Sequence, residues 1–276
     1  MIDNHVHIDF DRVESELEVY VQKAEEKCLR AITITNHIIL PNIPTSNYVV
    51  RDKKVFLKDL SFLKCSLVTP DIKRYVTAIK KKESSNVYLG AEIDYEENHE
   101  KETKEFIDMH PFDLILGSLH FLDGYHIARK LEMEIFTSKV PTAEIYKKYF
   151  NKLQSLVKSK LFDIVSHVDL VRKHSKPINF KEYKLEASMF IDSLLENDVG
   201  IEVNTSGHAF IGDSYPTLEF LGLCKEKGLE KVTIGSDAHQ VEMLGRGLEE
   251  AIRKLKIAGF EKIVKFKNRQ PEYLNI

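Results

Sequence analysis

The chain has 276 residues, 43% of them hydrophobic and 30% charged, which is the profile of an ordinary soluble globular protein able to bury a substantial core. Its formal net charge of −3, with basic residues scattered and only short runs at Lys80–Lys82 and Arg172–Lys173, excludes a broad nucleic-acid-binding stripe. Three cysteines (Cys28, Cys65 and Cys224), none in a CxxC pair, exclude a disulfide framework and fit a reducing cytoplasm, while the start Met-Ile-Asp-Asn-His has no leader character and no window is apolar enough to span a membrane.

Short apolar runs alternate with amphipathic helical patterns. A strand at Ile2–His7 is followed by a helix at Glu14–Cys28, with Leu17, Val21 and Ala24 on one face. A second strand, Ala31–His37, leads into Ile38–Val68, which contains Pro41, Pro44, the charged patch Arg51–Lys54 and a helix-like run at Leu57–Leu63. That is long for a βα connection. It reads either as a lid or substrate-selecting loop or as a structural insertion. Strands then follow at Val87–Tyr95, Leu114–His120, Ile164–Asp169, Gly200–Thr205 and Val232–Ser236, with a last candidate at Lys262–Lys267. Helices are expected at Glu97–Met109, Ala143–Lys158, Lys184–Asp198, Thr217–Lys227 and Val241–Ala258, the last two ended by Gly228 and Gly259. Seven or eight βα units without repeats or linkers predict one domain over residues 1–276, an α/β barrel with a parallel sheet.

Six of the eleven histidines sit at the ends of expected strands. His5 and His7 end the first, His37 the second, His120 the fourth and His167 the fifth; Glu92 lies in the third, and Asp237 and His239 follow the seventh. In a strand, residues i and i+2 face the same side, so His5 projects with His7, and Asp237 with His239. In a parallel barrel all these ends meet at one face, where active sites are built. Eight imidazole and carboxylate groups exceed what one tetrahedral ion needs. The set predicts two or three divalent ions (Zn, Mn or Fe), with a carboxylate as bridge. His99, His110, His126, His174 and His208 fall in helices or loops and read as surface or local hydrogen-bonding residues. Asp169 reads as a residue orienting His167 or as the cap of the next helix.

The segments Asp3-Asn-His-Val-His7, Thr35-Asn-His37, Gly90-Ala-Glu-Ile-Asp-Tyr95, Phe112 to Gly124, Phe162 to Lys173, Glu202-Val-Asn-Thr-Ser-Gly207 and Ile234-Gly-Ser-Asp-Ala-His239 resemble, in order, those of the polymerase-and-histidinol-phosphatase (PHP) family, on its histidinol-phosphate phosphatase branch. The resemblance implies a distorted (β/α)7 TIM-like barrel. It also implies that His5, His7, Glu92 and Asp237 hold one ion, that Glu92 bridges to His120 and His167 on a second, and that His37 and His239 serve a third. Three departures stand out. Arg12 and Val13 occupy the region of a further family ligand, leaving Asp9, Asp11 or Glu14 as substitutes. No arginine comes shortly after Asn204-Thr-Ser-Gly207, which continues His208-Ala-Phe-Ile-Gly-Asp213, and Asn36 replaces a family aspartate.

The resemblance thus implies a metal-dependent cytoplasmic hydrolase acting on a small phosphorylated substrate, most specifically L-histidinol phosphate in histidine biosynthesis, with no nucleic-acid or membrane partner. Glu92, Asp237 and His239 are the expected catalytic residues, the last two as candidates to protonate the leaving alcohol. Arg172 reads as a phosphate contact or as a solvent-facing helix residue. Another phosphoesterase substrate, such as a nucleotide or phosphotyrosine protein, is the competing reading. An amidohydrolase-type enzyme would want a metal-bridging lysine on a middle strand, which is missing, and a non-catalytic relative would be expected to have lost ligands.

Overall fold

The structure, a computed structural model, describes residues 1–39, 66–68, 72–83 and 86–276. Most of the Ile38–Val68 connection, including both prolines, the Arg51–Lys54 patch, the Leu57–Leu63 run and Cys65, therefore lies outside the described residues.

The chain opens with β1 (Ile2–Val6) and β2 (Ala31–Ile34), the latter resumed after Thr35-Asn36 as β3 (His37–Ile39), against which β4 (Ser66–Val68) lies in parallel. The wall continues with β5 (Val87–Asp94) and β6 (Leu114–Ser118). A small antiparallel hairpin of β7 (Phe121–Leu122) and β8 (Tyr125–His126) leaves β6. Then come β9 (Ile164–Val165), β10 (Gly200–Asn204) and β11 (Val232–Gly235). Seven strands run parallel in the order β1-β2-β5-β6-β9-β10-β11. The ends of this sheet meet just past the strands, where Asp237 N donates to His5 O and His7 N to Ala238 O, both at 2.8 Å. The result is a nearly closed, seven-stranded (β/α) barrel, as expected. Strands in such a barrel are covered on both faces and are continuously apolar; Leu114, Ile115 and Leu116 are all fully buried.

The covering helices are Val13–Glu26, Ile72–Lys80, Glu100–Asp108, Lys130–Lys139, Thr142–Lys158, Phe180–Asn197, Leu218–Glu226 and Leu248–Ile257. Phe180–Asn197 starts earlier than expected because of a capping box: Asn179 Oδ1 accepts from Lys181 N, and Glu182 Oε1 accepts from Asn179 N. The single helix expected at Val241–Ala258 is instead a 3-10 turn (Val241–Met243) and a helix from Leu248. Gly245 and Gly247 take φ of +69° and +75° between them, which breaks the helical path. Three described helices, Ile72–Lys80, Lys130–Lys139 and the single turn His208–Ile211, were not expected from the sequence.

Lys262–Lys267 is a strand, but not an eighth barrel stave. As β12 it pairs antiparallel with β13 (Gln270–Asn275). Its Val264 and Phe266 cluster with Leu114, Leu116 and Ile164 from the starts of barrel strands. At the turn of this hairpin Arg269 Nη2 donates to Asp163 Oδ1 (2.8 Å), and Asn268 N donates to Asp113 Oδ1 (2.9 Å). The hairpin therefore plugs the N-terminal end of the barrel and leaves the C-terminal end for chemistry. No described helix is long and apolar enough to cross a membrane.

Candidate metal centre

All eight expected ligands lie at the C-terminal end of the barrel, in or just beyond β1, β3, β5, β6, β9 and β11. His5, His7, His37, Glu92, His120 and His167 are buried, while Asp237 and His239 are partly exposed at the mouth. Their order follows from topology: neighbouring parallel strands deliver their ends side by side.

Glu92 stands at the middle and its two oxygens face different partners. Oε2 lies 3.0 Å from His37 Nδ1, 3.2 Å from His5 Nε2 and 3.3 Å from His7 Nε2. Oε1 lies 3.0 Å from His167 Nε2 and 3.8 Å from His120 Nε2, and accepts from Ser118 Oγ at 2.6 Å. Among the described residues, three sets of ligand atoms lie within 4.8 Å of one another: His5, His7 and Asp237; His7, His37 and His239; and His37, Glu92 and His120. His37 thus belongs to two sets, one of them with His239, while His167 joins through Glu92 Oε1.

The donor set fits divalent ions. Nε2 of His5 and Nε2 of His7 lie 3.0 Å apart and both face Glu92 and Asp237 oxygens. The nitrogens and oxygens that converge there are the donor types a divalent ion takes. Among the described residues His7 Nδ1 is buried with no hydrogen-bond partner, while Nε2 faces the Glu92 and Asp237 oxygens.

Carboxylates and amides stand behind the ligands. His5 Nδ1 lies 2.8 Å from Glu202 Oε1, and His120 Nδ1 lies 3.0 Å from Asp94 Oδ1. Donation from Nδ1 leaves Nε2 free as a ligand. Asn204 Nδ2 (3.3 Å) and Ser206 Oγ (3.1 Å) donate to Asp237 Oδ2, turning Oδ1 toward His5 and His7. Asp3 is fully buried and accepts from Ser236 N, Ser236 Oγ and Gly245 N, clamping the loop after β11 to β1. The sequence reading assigned no role to Glu202, Asp94 or Asp3. The available signal was a charged residue inside a strand otherwise apolar on both faces, a position tolerated only with partners.

The electrostatics divide the histidines. Burial opposes charge on His5, but Glu202, Asp237 and Glu92 outweigh it and hold His5 well above the usual range. His120 is likewise raised, to about 9: burial opposes and Asp94 prevails. Burial pushes His37 and His239 down, the latter to about 3, helped by the neighbouring His7. Burial alone would raise Glu92 and Asp237, yet the surrounding imidazoles hold both well below the carboxylate range. Two ligands also bear backbone strain: His167 has φ +24° and Asp237 φ +54°, conformations that cost about 1–3 kcal/mol each in non-glycine residues.

Other expected residues lie elsewhere. Arg172 is neither solvent-facing nor open: Nη1 donates to Asp169 Oδ2 (3.1 Å) and Nη2 to Asp213 Oδ2 (3.3 Å). Asp169 neither caps the following turn with its side chain nor touches His167 by a recorded hydrogen bond; it accepts from Arg172 and from Thr217 N. Val13 is fully buried in the core. Asp9 pairs with Arg12 at 3.0 Å and Glu14 with Arg74, so Glu14 faces away from the cluster; the Asp11 side chain lies outside the described part. Asn36 does what an aspartate cannot: Oδ1 accepts from Ile8 N (3.0 Å) while Nδ2 donates to Ile8 O (2.8 Å). His126, expected at the surface or in a local hydrogen bond, is buried, with its ring 5.8 Å from that of His120.

Comparison with known proteins agrees with the barrel fold. A Clostridium acetobutylicum protein named probable histidinol-phosphatase is 28% identical over 273 residues, spanning 95% of this chain and 97% of that one. The crystal structure of a histidinol phosphate phosphatase from Lactococcus lactis, complexed with zinc, L-histidinol and phosphate, has a TM-score of 0.74 at 19% identity, covering 98% of each chain. A Listeria monocytogenes structure, bearing the histidinol phosphatase name as an unproven assignment, has a TM-score of 0.75 at 20% identity over 91% of this chain and 99% of that one. Residues 3–206 match the PHP domain, and the chain belongs to that family.

Proposed function

We propose that residues 1–276 act as one divalent-metal-dependent phosphomonoesterase that hydrolyses L-histidinol phosphate to L-histidinol and phosphate, a cytoplasmic step of histidine biosynthesis. The observation that carries the chemistry is Glu92, a buried carboxylate with one oxygen toward His5, His7 and His37 and the other toward His120 and His167. The substrate is supported by the relatives' names and by the ligands of the Lactococcus lactis structure.

Two or three ions (zinc, manganese or iron) would be held by His5, His7, Glu92 and Asp237, by Glu92, His120 and His167, and by His37 with His239. Divalent cations in such a set supply positive charge for phosphoryl oxygens and acidify water. The chain's own residues do the rest. Glu92 keeps the two imidazole groups in fixed relation. Asn204 and Ser206 aim Asp237 inward. Asp237 is held ionised and His239 neutral, which suits both as ligands and leaves neither with a proton for the departing alcohol. A phosphate contact from Arg172 would need its Nη2 to leave Asp213, the more exposed of its two partners.

The test is phosphate release from L-histidinol phosphate by metal-quantified protein, beside an aryl phosphate and nucleotides. A kcat/KM of about 10⁴ M⁻¹s⁻¹ or more is expected for the true substrate. Aryl phosphate cleavage with no preference for histidinol phosphate would move the assignment to another phosphate ester, a reading favoured by the lack of an arginine in the segment immediately after Gly207.

A further inference from the structure

Glu202 occupies a position that the metal ligands alone do not require. It lies in β10, fully buried, one strand away from each of two different ligand groups. Its Oε1 sits 2.8 Å from His5 Nδ1. Its Oε2 accepts from His167 N at 3.0 Å and from Asn204 Nδ2 at 3.0 Å. His5 belongs to the set with His7 and Asp237, whereas His167 meets the opposite oxygen of Glu92.

The backbone around it is shaped for this contact. A Cβ at Gly235 would run into both Glu202 Oε1 and the Cβ of His5, so only glycine lets the carboxylate reach that ring. His167 holds its φ of +24° with its N–H anchored on Glu202 Oε2.

We propose that Glu202 is a positioning residue that couples the two halves of the metal centre. One oxygen takes the Nδ1 proton of His5 and leaves Nε2 as the ligand atom; the other fixes the strained backbone that presents His167. A change at Glu202 is therefore felt in both halves at once. Asp94, which backs only His120, has no such reach.

The proposal rests on the metal-centre reading, and one experiment separates the two. Purified, metal-stripped protein is titrated with Co²⁺ while visible absorption and bound metal are followed. Glu202→Gln is the chosen variant because an amide has one acceptor where the carboxylate has two. It must either face His5 with an NH2, which forces the wrong ring tautomer, or withdraw acceptance from His167 N and Asn204. With cooperative melting retained, a drop of about 10–100-fold in affinity is expected for every ion that His5 or His167 serves, with an altered cobalt spectrum. Glu202→Asp, which keeps both acceptors but is one methylene shorter, should show a smaller loss in both halves, and carries the test if the glutamine variant does not fold. Wild-type affinity and spectrum in a folded variant, or a loss confined to one half, overturns the coupling. Wild-type protein that takes up no cobalt overturns the metal-centre reading itself.

Discussion

His37 and Glu92 are register partners on adjacent parallel strands, and their side chains meet at 3.0 Å. The pairing exists because β2 stops at Ile34 and resumes as β3 at His37, so a single strand position brings an imidazole from one stave beside the carboxylate of the next. Glu92 is thereby fixed from one side by His37 and from the other by Ser118 and His167.

Glu92→Gln should remove both metal and activity. The amide presents one acceptor to two groups of imidazoles, and its neutral charge no longer offsets bound cations. Metal content by elemental analysis is expected to fall below half of wild type, and kcat/KM by about 10³-fold or more. Full activity with wild-type metal content would end the assignment of Glu92 as the bridge.

Metal uptake should release protons. His120 is raised to about 9 by Asp94 and so carries a proton at pH 7, and His5 is raised in the same direction by Glu202, Asp237 and Glu92. Groups raised in this way stabilise the metal-free fold below their unfolded value of about 6.5, and the contribution fades as pH climbs through the folded value. A divalent ion needs the neutral ring. Affinity should therefore rise with pH, by roughly tenfold per unit for each proton released. An indicator dye in weak buffer reads the release; a silent dye would mean both rings are already neutral.

Arg172→Ala separates two roles. Asp169 is fully buried and would keep only Thr217 N among its hydrogen-bond donors. Stripping one partner from a buried pair costs about 3 kcal/mol, so urea denaturation should show a clear loss of stability with KM little changed. A KM rise of about tenfold at unchanged stability would place the guanidinium on the phosphate instead.

Phe266→Ala should weaken the fold and spare the chemistry. Phe266 fills the N-terminal end of the barrel with Val264, Leu114, Leu116 and Ile164, at the opposite end from every ligand. Truncating a buried phenylalanine costs about 3–5 kcal/mol. Thermal melting should fall accordingly, while metal content at a temperature where the variant stays folded should match wild type.

The convergence of the histidines and carboxylates was legible in the sequence because a metal site would impose a pattern: His-Val-His and Asp-Ala-His at i and i+2, and single histidines at strand ends. The barrel was legible because alternation of buried strands and amphipathic helices admits few other architectures. What escaped was written in single residues without a period. Glu202 and Asp94 resemble polar intrusions in strands until their imidazole partners are known, and those lie far away in sequence, at His5 in one case and His120 in the other. Gly245 and Gly247 split a stretch whose apolar spacing is helical throughout. The β12–β13 hairpin carries strand-like residues in both arms, and nothing in them says whether they extend the wall or close its floor.

The seam of the barrel joins the two ends of the polypeptide. His5 and His7 meet Asp237 there, about 230 residues later in the chain. During synthesis at about 5–20 residues per second, the His-Val-His motif waits roughly 10–50 s before its carboxylate partner has even been made. Until then the motif lacks the carboxylate that both of its rings meet in the finished fold.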